Sequence, residues 1–296
     1  MMDAMVLQFL AAPFAASLIL TGIHAYLGVH VVERGVIFVD LSLAQIAALG
    51  GTIALLLPFA GHDPHGPWVY WISLAFTFVG AAVFSTIRGH HARIPQEAII
   101  GISYAVASAA AILAMSRSTS EGEHLKHMLV GNILAVSWAE VLRTAALYGV
   151  VGLFHYVFRH RFLAISLDPQ AAEASGLSVR LWDFLFYASF GCVVTSSVSM
   201  AGVLLVFCYL IVPSVAAMLY ADRIGPRLAI GWSMGTVVSG LGMYFSVALD
   251  LPTGATMVCT FGLVLIVMAL LRPLVRRTAV PSGAEQPRDL VRDGQR

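Results

Sequence analysis

"LWDFLFYASFGCVVTSSVSMAGVLLVFCYLIVPSVAAMLY", residues 181–220, carries a single charged side chain, Asp183. A helix crossing a bilayer core needs about 20 apolar residues, so this run is long enough for two. The Ser, Met and Gly of "SSVSMAG" (196–202) interrupt it and divide it into spans at about 181–197 and 201–220. One span plus a re-entrant piece is the other reading of the same residues.

Working outward, the pattern recurs. Further apolar segments lie at about 8–31, 36–58, 68–87, 97–115, 138–158, 228–249 and 253–271, which makes nine spans. Composition agrees. The 296 residues are 59% hydrophobic and 11% charged, with a mean hydropathy of +0.85. Soluble domains carry about 25% charged residues, so this chain cannot clothe a water-facing surface. It reads as an all-α, polytopic membrane helical bundle. The transmembrane bundle would occupy 1–277, and the polar tail 278–296, with its Pro and Gly, reads as disordered. A net charge of +1 gives no reason to expect nucleic acid as a partner.

Basic residues orient the bundle. If the loop after the first span is cytoplasmic, so are Arg34, Arg88, Arg93, Arg159, Arg161, Arg180, Arg223, Arg227, Arg272, Arg276, Arg277, Arg288, Arg292 and Arg296. Arg117, Lys126 and Arg143 fall outside, a bias of fourteen to three. The N-terminus is therefore expected outside and the C-terminus inside. No basic n-region precedes Arg34, so no secretory signal is read.

Several chemistries are excluded quickly. Cys192, Cys208 and Cys259 lie in apolar runs and give neither a disulfide framework nor a C-x-x-C site. Neither H-E-x-x-H nor G-x-S-x-G occurs. The only lysine, Lys126, lacks a phosphate-cradling glycine loop. If ATP drives transport, another polypeptide must hydrolyse it, and no catalytic residue is assigned here.

The loop "FLAISLDPQAAEASGLSVRLWDF" (162–184) is the most informative cytoplasmic segment. Asp168 suits an N-cap and Pro169 the first helical position. "QAAEAS" is helix-prone, and Gly176 can end the helix in the left-handed conformation. A short helix at about 169–175, with the small residues Ala171, Ala172, Ala174 and Ser175, could dock into a partner's groove or simply join two spans.

Polar residues within spans are few. Asp40 is notable, because an intramembrane carboxylate costs about 2.5–3.5 kcal/mol at a helix centre and usually faces a cavity or partner. At helical spacing it shares a small-residue face with Ala44, Ala47 and Gly51. Gln45 lies about 140° away around the same helix. His24 and His30 lie in the first span, as packing or substrate residues, with Glu33 a turn beyond His30. Asp183 can pair with Arg180, and Glu140 with Arg143. Asp250 precedes "LPTG" at an outer end and can simply terminate a helix. In the outer loop 116–134, Glu123, His124 and His127 could gather on one helical face as zinc or manganese ligands, or remain a solvated loop. "GHDPHGP" (61–67), with His62, Asp63 and His65, reads first as a turn.

Six ordered stretches carry a resemblance. They are "ERGVIFVDLSLAQIAALG", "RIPQEAIIGISYAVASA", "GEHLKHMLVGNILAVSWAEVL", "LDPQAAEASGLSVRLWDFLFY", "AGVLLVFCYLIVPSVAAMLYADR" and "LDLPTGATMVCTFGLVLIVMALL". Over roughly residues 20–272 the chain resembles the permease subunit of bacterial metal (zinc, manganese or iron) ABC transporters, the ABC-3 family. The resemblance implies a multi-pass protein of the bacterial inner (plasma) membrane and a dimer of permeases. It also implies a cytoplasmic ABC ATPase subunit, an extracytoplasmic metal-binding protein, and no cofactor beyond the transported divalent ion. Asp168, Pro169, Ala172 and Gly176 would then belong to the coupling helix that enters the ATPase. One departure stands out. The family's Gly-Asp-x-x-x-His pattern places an Asp and a His at i,i+4, but here those positions read Leu41 and Gln45, with Asp40 displaced by one. Asp40 and Gln45 are carried over as substrate-path residues, with His24, His30 and Asp250 as other candidates. An ion- or proton-driven secondary transporter, with Asp40 and the histidines as relay, is the alternative.

Overall fold

The computed structural model describes residues 4–59, 66–87, 95–116 and 133–278. Among these residues the regular structure is helical. In chain order the helices are α1 (Ala4–Glu33), α2 (Val39–Leu56), α3 (Pro67–Ile87), α4 (Gln96–Met115), α5 (Trp138–Val157), α6 (Arg159–Leu167), α7 (Pro169–Ala174), α8 (Val179–Ala201), α9 (Val203–Tyr220), α10 (Ile224–Leu249) and α11 (Thr253–Thr278). A 3-10 turn at Ile133–Ala135 precedes α5.

Eight of these helices are long and apolar enough to cross a membrane, and α5 with α6, bent by 73°, supplies a ninth span. The forty-residue run resolves into two helices. Their junction is Gly202, at φ +77°, where α8 ends and α9 begins. A side chain there would be strained, so glycine suits the break between the two helices. The helix α6 is not expected from the sequence, because its first residues, Arg159, His160 and Arg161, read as loop charges.

Two groups of helices pack around α8 and α9. Helix α1 lies against α9 and α10, and α11 closes on α9 and α10. Helix α2 packs on α3 and α4, and α3 continues onto α8. Small residues on α2 allow that approach: a Cβ on Gly50 would lie 2.9 Å from the Phe76 side chain. The core is filled by Phe84, Phe186, Tyr187, Phe190, Tyr209 and Phe261, all fully enclosed. The outward faces stay apolar, with Leu113 on α4 and Leu270 on α11 each 71% exposed. Hydrocarbon is the solvent such faces require.

Candidate functional site

Asp40 stands in the first turn of α2 and is 2% exposed. The small face expected for it is present, since Ala44, Ala47 and Gly51 are buried beside it. Its Oδ1 meets no hydrogen-bond partner among the described residues. Burying a carboxylate oxygen without a donor is costly. Close by, Glu97 in the first turn of α4 accepts the Phe38 backbone N–H at 3.0 Å, and its other oxygen is also unpartnered. Phe38 immediately precedes α2 and stacks on Phe207 of α9. Gln45, further along α2, is half-buried.

The two histidines of α1 differ in setting. His24 Nδ1 lies 2.9 Å from the Leu20 carbonyl, and its Nε2 lies 3.1 Å from Ser197 Oγ. Ser197 Oγ is in turn 2.6 Å from the Tyr148 hydroxyl. Both ring nitrogens are thus engaged, as a packing histidine requires. His30 Nδ1 lies 2.8 Å from Ser166 Oγ, but its Nε2 is buried without a partner among the described residues. Its ring contacts Tyr26 edge-on at 4.8 Å between centroids.

The basic residues place the end of α1 in the cytoplasm, and a buried ionic centre sits there. Arg34 Nη1 donates to Asp183 Oδ1 at 2.5 Å, and Arg34 Nε donates to Ser166 Oγ at 2.9 Å. The guanidinium carbon lies 3.9 Å from the Phe186 ring centroid. The pairing of Asp183 with Arg180 expected from sequence is therefore corrected. Asp183 faces the core on α8, whereas Arg180 is exposed. The Glu140–Arg143 pairing is replaced by a capping box, in which Glu140 and Ser137 satisfy each other's backbone N–H at the start of α5. Glu33 pairs with Arg227 at the start of α10.

The short cytoplasmic helix forms where it was expected. Asp168 Oδ1 accepts the Gln170 and Ala171 backbone N–H groups at 3.1 and 2.9 Å, and Pro169 opens α7. Ser175 follows the last helical residue, and Gly176 turns the chain at φ +87°. Ala172 is buried, while Ala171, Glu173 and Ala174 are exposed. The helix therefore presents a small-residue surface outward.

Asp250 is exposed and ends α10 in the left-handed conformation, at φ 51°. Glu123, His124, His127 and the loop His62, Asp63 and His65 lie outside the described residues, as does the tail beyond 278. Among the described residues no three His, Cys, Asp or Glu side chains gather as a metal site. A groove between α10 and α11, lined by Ser233, Met234, Val237, Val264 and Met268, is apolar and offers no cation ligand set. Sequence reasoning missed Tyr26, His155 and Ser166. His155, on α5, is buried, stacks on Phe162 and lies 2.8 Å from Ser189 Oγ through Nε2. The i,i+4 spacing of Tyr26 and His30 was the one available signal.

Residues 6–272 match the ABC 3 transport family. The manganese transport system membrane protein MntC of Listeria innocua is 29% identical over 211 residues, covering 69% of this chain and 75% of that protein. The chelated iron transport system membrane protein YfeC of Yersinia pestis is 26% identical over 244 residues, covering 82% and 79%. Among solved structures, PsaBC from Streptococcus pneumoniae in complex with Fab superposes with a TM-score of 0.75 at 22% identity, over 90% of this chain and 93% of that one. A metal-chelate type ABC transporter in an inward-facing conformation superposes at 0.67 and 18% identity, over 91% and 90%.

Proposed function

The chain belongs to the ABC 3 transport family, and on that premise we propose that it is the membrane permease of an ATP-driven importer for a divalent metal ion, zinc or manganese. It resides in the bacterial inner membrane as a multi-pass protein. It performs no covalent chemistry. A second copy completes the pathway, a separate cytoplasmic ATPase supplies the energy, and an extracytoplasmic binding protein delivers the ion. The observation that carries this reading is a nine-span bundle with a capped helix, α7, displayed at its basic end.

Asp40 is the principal path residue, supported by a buried carboxylate oxygen that meets no donor among the described residues. Gln45 and His30 flank the route, and His24 and Asp250 contribute more to structure than to conduction. Oxygen donors dominate the α2 segment, because the Asp/His pattern of relatives is replaced by Leu41 and Gln45. Carboxylate and carbonyl oxygens suit manganese, while zinc favours imidazole and thiolate. Manganese is accordingly the better candidate of the two. Relatives named for manganese and chelated iron support a metal cargo.

Co-expression with an ABC ATPase subunit from the same genome tests the assembly. A complex purified through the permease should hydrolyse ATP, and the metal-loaded binding protein should stimulate it. A permease that retains no ATPase, and instead carries metal down an ion gradient, would establish the secondary-transporter reading.

A further inference from the structure

Four side chains join the α7 loop to α1 through a continuous run of polar contacts. Asp183 Oδ1 accepts from Arg34 Nη1 at 2.5 Å, Arg34 Nε donates to Ser166 Oγ at 2.9 Å, and Ser166 Oγ lies 2.8 Å from His30 Nδ1. Arginine offers only donors, so the Ser166 oxygen accepts from Arg34. That oxygen keeps a second lone pair and its own hydrogen, so its contact with His30 Nδ1 fits either tautomer of the ring. The other ring nitrogen, Nε2, meets no hydrogen-bond partner among the described residues.

The two arms of the loop both end at the same cation. Ser166 belongs to α6, which leads directly into Asp168, the N-cap of α7. Asp183 belongs to the opening turns of α8, which receives the chain after Gly176. Arg34 comes from the end of α1 and is further seated on the Phe186 ring. Chain connectivity thus links α7 to Arg34 on both sides, through Ser166 of α6 and Asp183 of α8.

We propose that Arg34, Asp183 and Ser166 are positioning residues through which movement of α7 resets the His30 imidazole. The inference rests on α7 as the ATPase docking element. With α7 in the position seen here, Ser166 occupies Nδ1 of His30. When α6 is drawn away, the Ser166 hydroxyl leaves, Nδ1 is freed, and the imidazole can turn its lone pair toward a cation in the path. ATP-driven movement outside the membrane thereby changes a ligand inside it, through hydrogen bonds rather than through bulk rearrangement of the bundle.

The test uses the full complex of permease, ATPase and binding protein in liposomes, with manganese as the ion. The reading is the ratio of ions moved to ATP hydrolysed. Ser166→Ala should retain the ATPase and its basal hydrolysis while the ratio falls about tenfold, within the usual span of coupling between sites. Ser166→Thr, which restores the hydroxyl, should recover the ratio. A parental ratio in Ser166→Ala overturns the proposal, and so does a Thr variant as impaired as Ala, since that marks packing alone. If Ser166→Ala fails to assemble, Arg34→Lys keeps the charge but lacks the Nε–H that reaches Ser166. The same drop is then expected, and an unchanged ratio overturns the proposal. Retention of the ATPase by Ala174→Trp, at an exposed position of α7, is scored separately. It decides whether α7 is the docking element, whereas the ion-to-ATP ratio decides whether Ser166 positions His30.

Discussion

Arg34 and Asp183, 149 positions apart in the chain, form an ion pair at 2.5 Å with neither side chain reaching solvent. Removing one member of such a pair strands a buried charge, which costs about 3–5 kcal/mol. Replacing both with apolar residues of similar volume is often tolerated. Asp183→Ala should therefore lower the unfolding temperature of the detergent-solubilised protein sharply, and Arg34→Met with Asp183→Leu should recover most of the loss. A double variant as unstable as the single one contradicts this account of the pair.

Asp40 should separate stability from function. Its carboxylate burial is unfavourable by about 2.5–3.5 kcal/mol on insertion scales. Asp40→Ala should leave thermal stability and ATPase attachment undiminished, yet lower metal uptake by about tenfold, an effect of the size expected for one lost charged ligand. Normal uptake in this variant would remove Asp40 from the path.

Restoring the pattern of relatives should alter ion preference. Leu41→Asp with Gln45→His places a carboxylate and an imidazole at i,i+4 on α2. Imidazole raises affinity for zinc more than for manganese. Competition uptake with both ions should shift toward zinc in the double variant. An unchanged selectivity would show that this part of α2 does not discriminate between them.

The α7 turn gives a third kind of variant. Gly176 sits at φ +87°, where a residue with a side chain loses about 1–2 kcal/mol. Gly176→Val should distort the exit of α7 and lower metal-stimulated ATP hydrolysis more than it lowers folding yield. Ala172→Trp, at a buried position on the same helix, should act in the same direction. Stimulated hydrolysis at the parental level in both would remove α7 from the coupling interface.

The spans were legible because length and lack of charge are local properties. Residues 181–220 show this: the interruption expected over 196–202 contains the observed break at Gly202, although α8 runs on to Ala201. Helix α7 was legible for the same reason, since Asp168, Pro169 and Gly176 are terminal signals that act within a turn. The ionic centre was not. Sequence proximity favoured Arg180 as the partner of Asp183, but the two positions point differently on α8, and the cation comes from α1 instead. The Tyr26–His155 contact likewise needs α5 folded against α1. The bend between α5 and α6 was hidden because Arg159 and Arg161 resemble ordinary loop charges, although both instead lie along aromatic rings.

The most direct test is manganese uptake into liposomes holding the permease and its ATPase, supplied outside with the loaded binding protein. ATP enclosed with the ATPase domains should drive uptake, and a protonophore should leave it unaffected. Uptake that proceeds without ATP and collapses with the protonophore would contradict the importer reading.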